Sequence, residues 1–578
     1  MRRRRSILLL AVLVLAILVG ASLWWTRPKQ VDMATYAPAD SLLYLEANHP
    51  NDVLEAISAT QAWRDLENAL GSQRDAATAR WLQQFISWTG IGPARSVILS
   101  RAQVAVVVTD LRTAEEGDDL NIKPEGVLLI ETHTAERRVK PVFEAELKTL
   151  AEKTYGRPTA RHVSLDGIEF SEWLAPEGSR QIVGTVFGSL VVIGTSERVV
   201  QECLTVAQGR RPSLRDDPDL AAMRARLEQG PRLTFGYVPR ANSAKLLAFG
   251  MPILMGRAPG DSDFQRIVAT GAAKIFGSLG WTSRSYLSGI EDEYVIDLQP
   301  SALARLKPSF TQPNVSSQIQ QLIPNDVYSV TSYRFNNPAA AWQNLSGMVS
   351  SQVDALSAIV FAKLLNSALL TYGIAEPETF LGTVNEEIFT LRTDENGERS
   401  ILIAGVRDRP ALRKFLSSTM SSVDSHVLSR WCDEVFLDSK EDVGACLGDQ
   451  IVVMGSAAEL RRYSDARAAG DTSMALDNLH RMTFFGATAT APNIVSYTND
   501  SERIRSFYST VMMSKGATAT PQRLDETIAK LPYSVTETSL EDHGIIRTTR
   551  SPLGQFSTLL PLLLPQQTVS GKNESQPK

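Results

Sequence analysis

Three cysteines in 578 residues are too few for a disulfide scaffold. The six histidines, His49, His133, His162, His426, His480 and His543, form no i, i+4 pair and no His-Glu-x-x-His, the short spacings that usually mark a zinc site. A Gly-x-Ser-x-Gly elbow and a Gly-x-x-x-x-Gly-Lys-Ser/Thr loop are both missing, which removes the commonest local signatures of a hydrolase and an NTPase. A triad assembled from distant residues stays open, because such triads need no adjacency in sequence. No catalytic residue, cofactor or metal is therefore assigned. Basic clusters are absent after Arg5. Removing the +4 of Arg2–Arg5 from the net −5 leaves −9 for the rest, which argues against nucleic acid and anionic headgroups as electrostatic partners.

Long apolar runs are also rare, and the one that stands out is at the N-terminus. Arg2, Arg3, Arg4 and Arg5 precede an apolar stretch over 7–23, and Trp24, Trp25 and Arg27 follow it. At about 1.5 Å per residue, 7–25 would reach roughly 28 Å as a helix, near the roughly 30 Å of a hydrocarbon core. Arginines stay on the cytoplasmic side and a tryptophan pair suits the interface. The expectation is a single-pass anchor in the inner (cytoplasmic) membrane, with the ectodomain periplasmic or extracellular. Small residues at Val19-Gly20-Ala21 also allow cleavage after Ala21, which exports the chain without an anchor.

Internal repeats supply the architecture. Tyr36-Ala-Pro38-Ala-Asp40-Ser-Leu-Leu-Tyr44 and Leu322-Ile-Pro324-Asn-Asp326-Val-Tyr-Ser-Val330 share a Pro-x-Asp turn leading into an apolar strand. Each strand then meets a helix begun by proline, after Asn48-His49 at Pro50 and after Asn336-Asn337 at Pro338; proline fits the first helical turn and asparagine can cap it. Further landmarks follow in the same order. A hairpin over 104–109 and 126–131 matches one over 387–393 and 400–405, the second turning at Asn396-Gly397. Phe187-Gly188 with Val191–Gly194 matches Leu447-Gly448 with Val452–Gly455, and the Tyr237 strand matches the Tyr497 strand. Closing strands over 277–298 match 533–549.

Strands joined by tight turns, with helices between them but no strict βαβ alternation, predict an α+β class. The expected layout is an N-terminal transmembrane helix followed by two tandem related domains, each a mainly antiparallel sheet with helices packed on one side. The boundaries are 1–27 for the arginine cluster and anchor, 28–37 for a stem, 38–300 and 319–550 for the repeats, 301–318 for a Pro/Ser-rich linker, and 551–578 for an apolar, then disordered, tail. Pro561 and Pro565 exclude a second spanning helix in that tail.

Several residues invite functional readings. Arg215-Asp216-Asp217-Pro218-Asp219 has the oxygens of a calcium loop, yet Asp beside Pro at a helix start is ordinary capping, and capping is favoured. Glu115-Glu116-Gly117-Asp118-Asp119 falls in a polar loop expected over 111–124. His49 stands where the other copy has Asn337, so it is read as a cap. Two apolar helices, over 246–255 and 507–513, carry Met251, Met255, Met512 and Met513, and suit core packing before an adaptable groove. Cys432 and Cys446 lie seven residues either side of Ser439, so a hairpin turning there sets them face to face. An oxidising compartment permits a disulfide between them, with two buried thiols as the alternative.

The arginine-led anchor and the repeated Pro-x-Asp-strand-helix units at 36–44 and 322–330 resemble an uncharacterised family of bacterial single-pass membrane-anchored proteins of unknown function with a duplicated ectodomain. That resemblance implies a location and supplies no catalytic residues. Two functions follow. The first is a non-enzymatic envelope protein that binds or scaffolds a protein or an apolar ligand, its partners being the lipid bilayer through the N-terminal helix and an envelope protein or lipid, and no nucleic acid. The second is a hydrolase-like envelope enzyme with its site in a cleft between the two repeats.

Overall fold

The structure, a computed structural model, describes residues 30–69, 102–116, 119–165, 167–178, 180–228, 230–254, 262–310, 323–324, 327–350, 366, 369–423, 432–438, 440, 442–468, 492–509 and 521–563. Its first half runs β1 (Leu43–Ala47), α1 (Pro50–Ser58), α2 (Gln61–Ala69), β2 (Gln103–Glu116), β3 (Asp119–Glu131), α3 (Glu136–Tyr155), β4 (Thr159–Leu165), β5 (Ile168–Leu174), β6 (Gln181–Phe187), β7 (Leu190–Gly194), α4 (Glu197–Ala207), α5 (Pro218–Leu227), β8 (Thr234–Val238), α6 (Arg240–Leu254), α7 (Ser262–Ile275), β9 (Phe276–Tyr286) and β10 (Gly289–Leu298). After α8 (Pro300–Leu306) come β11 (Ser329–Arg334), α9 (Pro338–Ser350), α10 (Pro377–Leu381), β12 (Val384–Arg392), β13 (Ser400–Val406), α11 (Arg409–Thr419), β14 (Ser421–Val423), β15 (Glu434–Asp438), β16 (Val443–Leu447) and β17 (Ile451–Ser456). The chain continues with α12 (Ala457–Ala468), β18 (Ile494–Thr498), α13 (Ser501–Phe507), α14 (Pro521–Ile528), β19 (Ser534–Leu540), β20 (Gly544–Ser551) and α15 (Phe556–Leu563).

Strand pairing is the same in both halves. In the first, β1 lies between β2 and β8; β2 continues through β3, β7, β6 and β5 to β4, and β8 continues through β9 to β10. The second repeats each pairing, from β11 between β12 and β18 out to β14 on one side and β20 on the other. Every pairing is antiparallel. The two halves then join: β10 pairs with β20 from Ile290 opposite Ser551 to Asp297 opposite Gly544.

This joint corrects the expectation of an N-terminal transmembrane helix and two tandem domains with a sheet each. A single twenty-stranded sheet runs from β4 to β14, because the last strand of each half satisfies the backbone edge of the other. Among the described residues no helix is long and apolar enough to cross a membrane, and residues 1–29, where the span was expected, lie outside them.

Helices cover both faces of the sheet, not one. Alternate residues of β3 and β7 point opposite ways, as the period of two requires. Leu129 and Val192 pack on Val199, Cys203 and Met223 of α4 and α5, while Ile130 and Val191 pack on Phe143 and Leu147 of α3. Gly184 of β6 lets α3 approach closely, since a Cβ there would sit 2.6 Å from Cζ of Phe143. In the second half Ile401 and Ile403 face Tyr463 of α12, and Leu402 and Ala404 face Leu412 and Phe415 of α11.

The halves also interlock through helices. Val53, Ile57, Trp63 and Leu66 of α1 and α2 share a core with Ile504, Phe507 and Ile528 of α13 and α14, closed by Leu553 and Phe556. Ile275 of α7 and Leu306 of α8 share another with Met348 of α9. So the helix after the first strand of each half packs on helices of the other half. Thr60 starts α2 by accepting the Trp63 N–H at 3.2 Å, which fixes where the Trp63 ring enters that core.

Local expectations fail in two places. Residues 111–116 and 119–124 are strand, since β2 and β3 stay paired out to Glu116 opposite Asp119. Pro300 opens a helix where the linker was expected to begin, and 311–322 lie outside the described residues. Helix α15 runs through Pro561, which forfeits the bond its N–H would have given to the Ser557 carbonyl, and at eight residues it is too short to cross a bilayer.

Candidate functional site

Cys432 and Cys446 form a disulfide with Cα atoms 5.5 Å apart, and both are buried. The register differs from expectation. Cys446 stands opposite Val435, and Cys432 precedes β15 without a strand partner. The turn is centred nearer Lys440 than Ser439, with Asp442 at φ 51°, and that shift breaks the symmetry of the spacing. Cys203 is fully buried on α4, and burial pushes its thiol up to about 12.

The other residues singled out in sequence have structural surroundings. Asp217 caps α5 by accepting the Asp219 N–H at 2.9 Å and takes the Tyr237 hydroxyl at 2.9 Å on its other oxygen. His49 holds the N-cap position of α1 without a side-chain cap; its Nε2 meets Gln30 Nε2 at 2.9 Å. Asn337 does cap its helix, accepting from Ala340 N at 3.0 Å. His162 and His543 are exposed, and His426 and His480 lie outside the described residues. Among the described residues no group of three His, Cys, Asp or Glu side chains could hold a metal. Phe507 and Tyr508 are fully buried, and Met251, Met255, Met512 and Met513 fall where side chains are not described.

What sequence reading missed is a set of buried carboxylates. At the joint, Arg550 of β20 reaches Glu291 at 2.8 Å and Glu537 at 2.9 Å, with its guanidinium 4.9 Å above the Tyr286 ring. Arg284 of β9 meets Glu291 at 3.3 Å and also pairs with Glu293. Burial raises the Glu293 carboxyl, and Arg284 opposes that rise. On the opposite face, Asp292 accepts from Ser283 Oγ at 2.5 Å and from Gln555 N at 2.8 Å. Burial pushes Asp292 up to about 6. Ser283 in turn accepts from Gln555 Nε2 at 2.5 Å, so this cluster pins the turn before α15 to the sheet. Among the described residues no imidazole stands between Ser283 and Asp292, as a proton-relaying triad would need.

Two further clusters belong to the first half. Glu46 on β1 accepts from Tyr44 OH at 2.6 Å and pairs with Arg224 and Arg232, each at 3.1 Å, while Arg224 also holds Asp32 at 3.0 Å. Both guanidiniums lie over the Phe235 ring, at 5.4 and 5.2 Å. Glu131 accepts from Tyr36 OH at 3.1 Å and from the His133 N–H at 2.8 Å, with His133 in the left-handed region at φ 52°. Burial first, and then Glu131, push the Tyr36 hydroxyl up to about 12. Each carboxylate is consumed by neighbours that hold elements together, and no local spacing signals such partners.

The fold thus defines an open, all-antiparallel α+β sheet protein with internal two-fold character. No protein-family model and no curated protein matches the chain. Among solved structures it is similar to TP0453 in crystal forms IV and I, at 10% and 11% identity over 50% and 51% of this chain and 89% and 85% of that one, with TM-scores of 0.24 and 0.23. It is also similar to the substrate-free duplicated taurocyamine kinase from Schistosoma mansoni, at 9% identity over 87% of this chain and 84% of that one, with a TM-score of 0.13. Similarities this low carry no inference about fold or activity.

Proposed function

We propose that this chain is a cell-envelope protein that binds or scaffolds a protein or an apolar ligand on the extracytoplasmic side of the cytoplasmic membrane. The observation that carries the reading is the β10–β20 joint. It turns two halves into one continuous platform and spends the polar groups at their meeting point on ion pairs. A disulfide between Cys432 and Cys446 and the arginine-led apolar segment at 1–27 support export. The alternative of a hydrolase-like site in a cleft between the repeats has less support, because the place where that cleft would open is occupied by paired strands.

Leu287, 76% exposed at the tip of the β9–β10 hairpin, is the place to test it. A Leu287→Cys variant should react with a membrane-impermeant maleimide in spheroplasts before lysis, since Cys203 is buried and the other two cysteines are bonded. A photoreactive residue at 287 in living cells should give adducts of discrete mass. Labelling only after lysis overturns the location, and the absence of any adduct from several exposed positions overturns the binding role.

A further inference from the structure

The joint between the halves closes two strand edges and leaves two others at the ends of the sheet. The β14 end is described over three residues, Ser421–Val423, and 424–431 lie outside the described residues. The β4 end is seven residues long and pairs only with β5, from Thr159 opposite Leu174 to Leu165 opposite Ile168. Thr159, Ala160, Arg161, His162 and Ser164 are exposed, and among the described residues no strand covers the outer side of β4. Natural sheets blunt such edges with short strands, lysine, proline or bulges; β4 contains no lysine or proline and its register with β5 is unbroken.

Charge selects the occupant. Arg157 and Arg161 are exposed and form no ion pair among the described residues; Arg161 lies opposite Glu172 of β5, while β4 itself carries Arg161 and His162 and no acidic residue. This basic edge belongs to a chain of net charge −5, so it stands out against the rest of the molecule. Self-pairing about His162 would set Arg161 against Val163 and offer it no carboxylate, whereas a carboxylate-bearing strand would neutralise it. We propose that β4 is a docking edge for an extended acidic segment of a partner protein, added as a further antiparallel strand. Backbone hydrogen bonds along β4 would supply affinity, and Arg157 and Arg161 would select for carboxylates. The proposal deepens the binding reading above by naming the chemistry of the partner.

The test uses the full chain in detergent with a fluorescent nine-residue peptide of alternating Glu and Val. Expected are saturable binding by anisotropy, slowed amide hydrogen exchange over 159–165, and at least tenfold weaker binding for the R157Q/R161Q variant. That variant should keep the melting temperature of the parent chain, because both side chains are exposed. Equal binding of a Lys/Val peptide, protection elsewhere than β4, or concentration-dependent protection of β4 without peptide (a second copy on the edge) overturns the proposal. If the peptide fails while position 287 still gives adducts in cells, the docking edge falls and the binding reading stands; peptide binding without adducts at 287 keeps the docking edge and moves the partner's contact away from the β9–β10 tip.

Discussion

Glu293 of β10 lies directly opposite Thr548 of β20, and each is the counterpart of the other in the duplicated strand order. The correspondence follows from the registers. Tyr237 matches Tyr497, they pair with Gly280 and Val535, and those pair with Val295 and Arg550. Counting back two residues from Val295 and from Arg550 reaches Glu293 and Thr548. A local two-fold axis therefore passes between them, perpendicular to the sheet, as it must for equivalent antiparallel strands.

Arg550 holds two carboxylates at that axis, with its side chain only 6% exposed. Replacing it by Leu leaves Glu291 and Glu537 without this partner in a covered site. Breaking a buried pair this way costs about 3–5 kcal/mol. The urea midpoint should fall accordingly, and Arg550→Lys should recover part of the loss.

Asp292 gives a pH dependence of opposite sign to the usual surface carboxylate. Its value is raised from 3.8 to about 6, with burial as the main cause; Arg503 lowers it and Glu291 raises it. The folded state therefore holds the proton longer than the unfolded state. The resulting stabilisation is complete below pH 3.8 and is lost as pH rises through about 6, amounting to ~3 kcal/mol. Melting temperature against pH should show this decline in the parent chain, and Asp292→Asn should flatten it between pH 4 and 6.

The Cys432–Cys446 bond closes a separation of 14 residues. Chain entropy for a loop of this size gives about 3 kcal/mol. Reduction, or the double replacement by serine, should lower the unfolding free energy by that order, and peptide mapping without reductant should recover the linked pair. Two free thiols in native protein would contradict the bond.

Trp63 is 4% exposed, donates from Nε1 to Glu67 at 2.7 Å, and sets its ring edge-on to Phe507 with centroids 6.2 Å apart. Trp63→Ala should cost about 3–5 kcal/mol through the cavity it opens. Because that core joins both halves, calorimetry should show a single unfolding transition for the parent chain. Two resolved transitions, one for each half, would argue against the shared core.

Part of this architecture is legible residue by residue. Pro50 and Pro338 do begin helices after their strands, and Asn337 and Asp217 do cap theirs, because helix starts depend on a few neighbouring groups. Residues 111–116 and 119–124 mislead because their polar composition resembles a loop, while their cross-strand partners make them a ribbon. Cys432 and Cys446 are near enough in sequence to suggest their pairing, yet a turn centred slightly later moves Cys446 opposite Val435.

Local chemistry alone thus determined where many strands and helices begin, and the recurrence of similar units. Tertiary structure alone decided that the two sheets are one, and that Glu46 meets Arg224 across 178 positions and Arg550 meets Glu291 across 259. The reason is physical. Caps, turns and apolar periodicity act over a few residues, whereas an open strand edge or a buried carboxylate is satisfied by whichever group the completed fold brings to it.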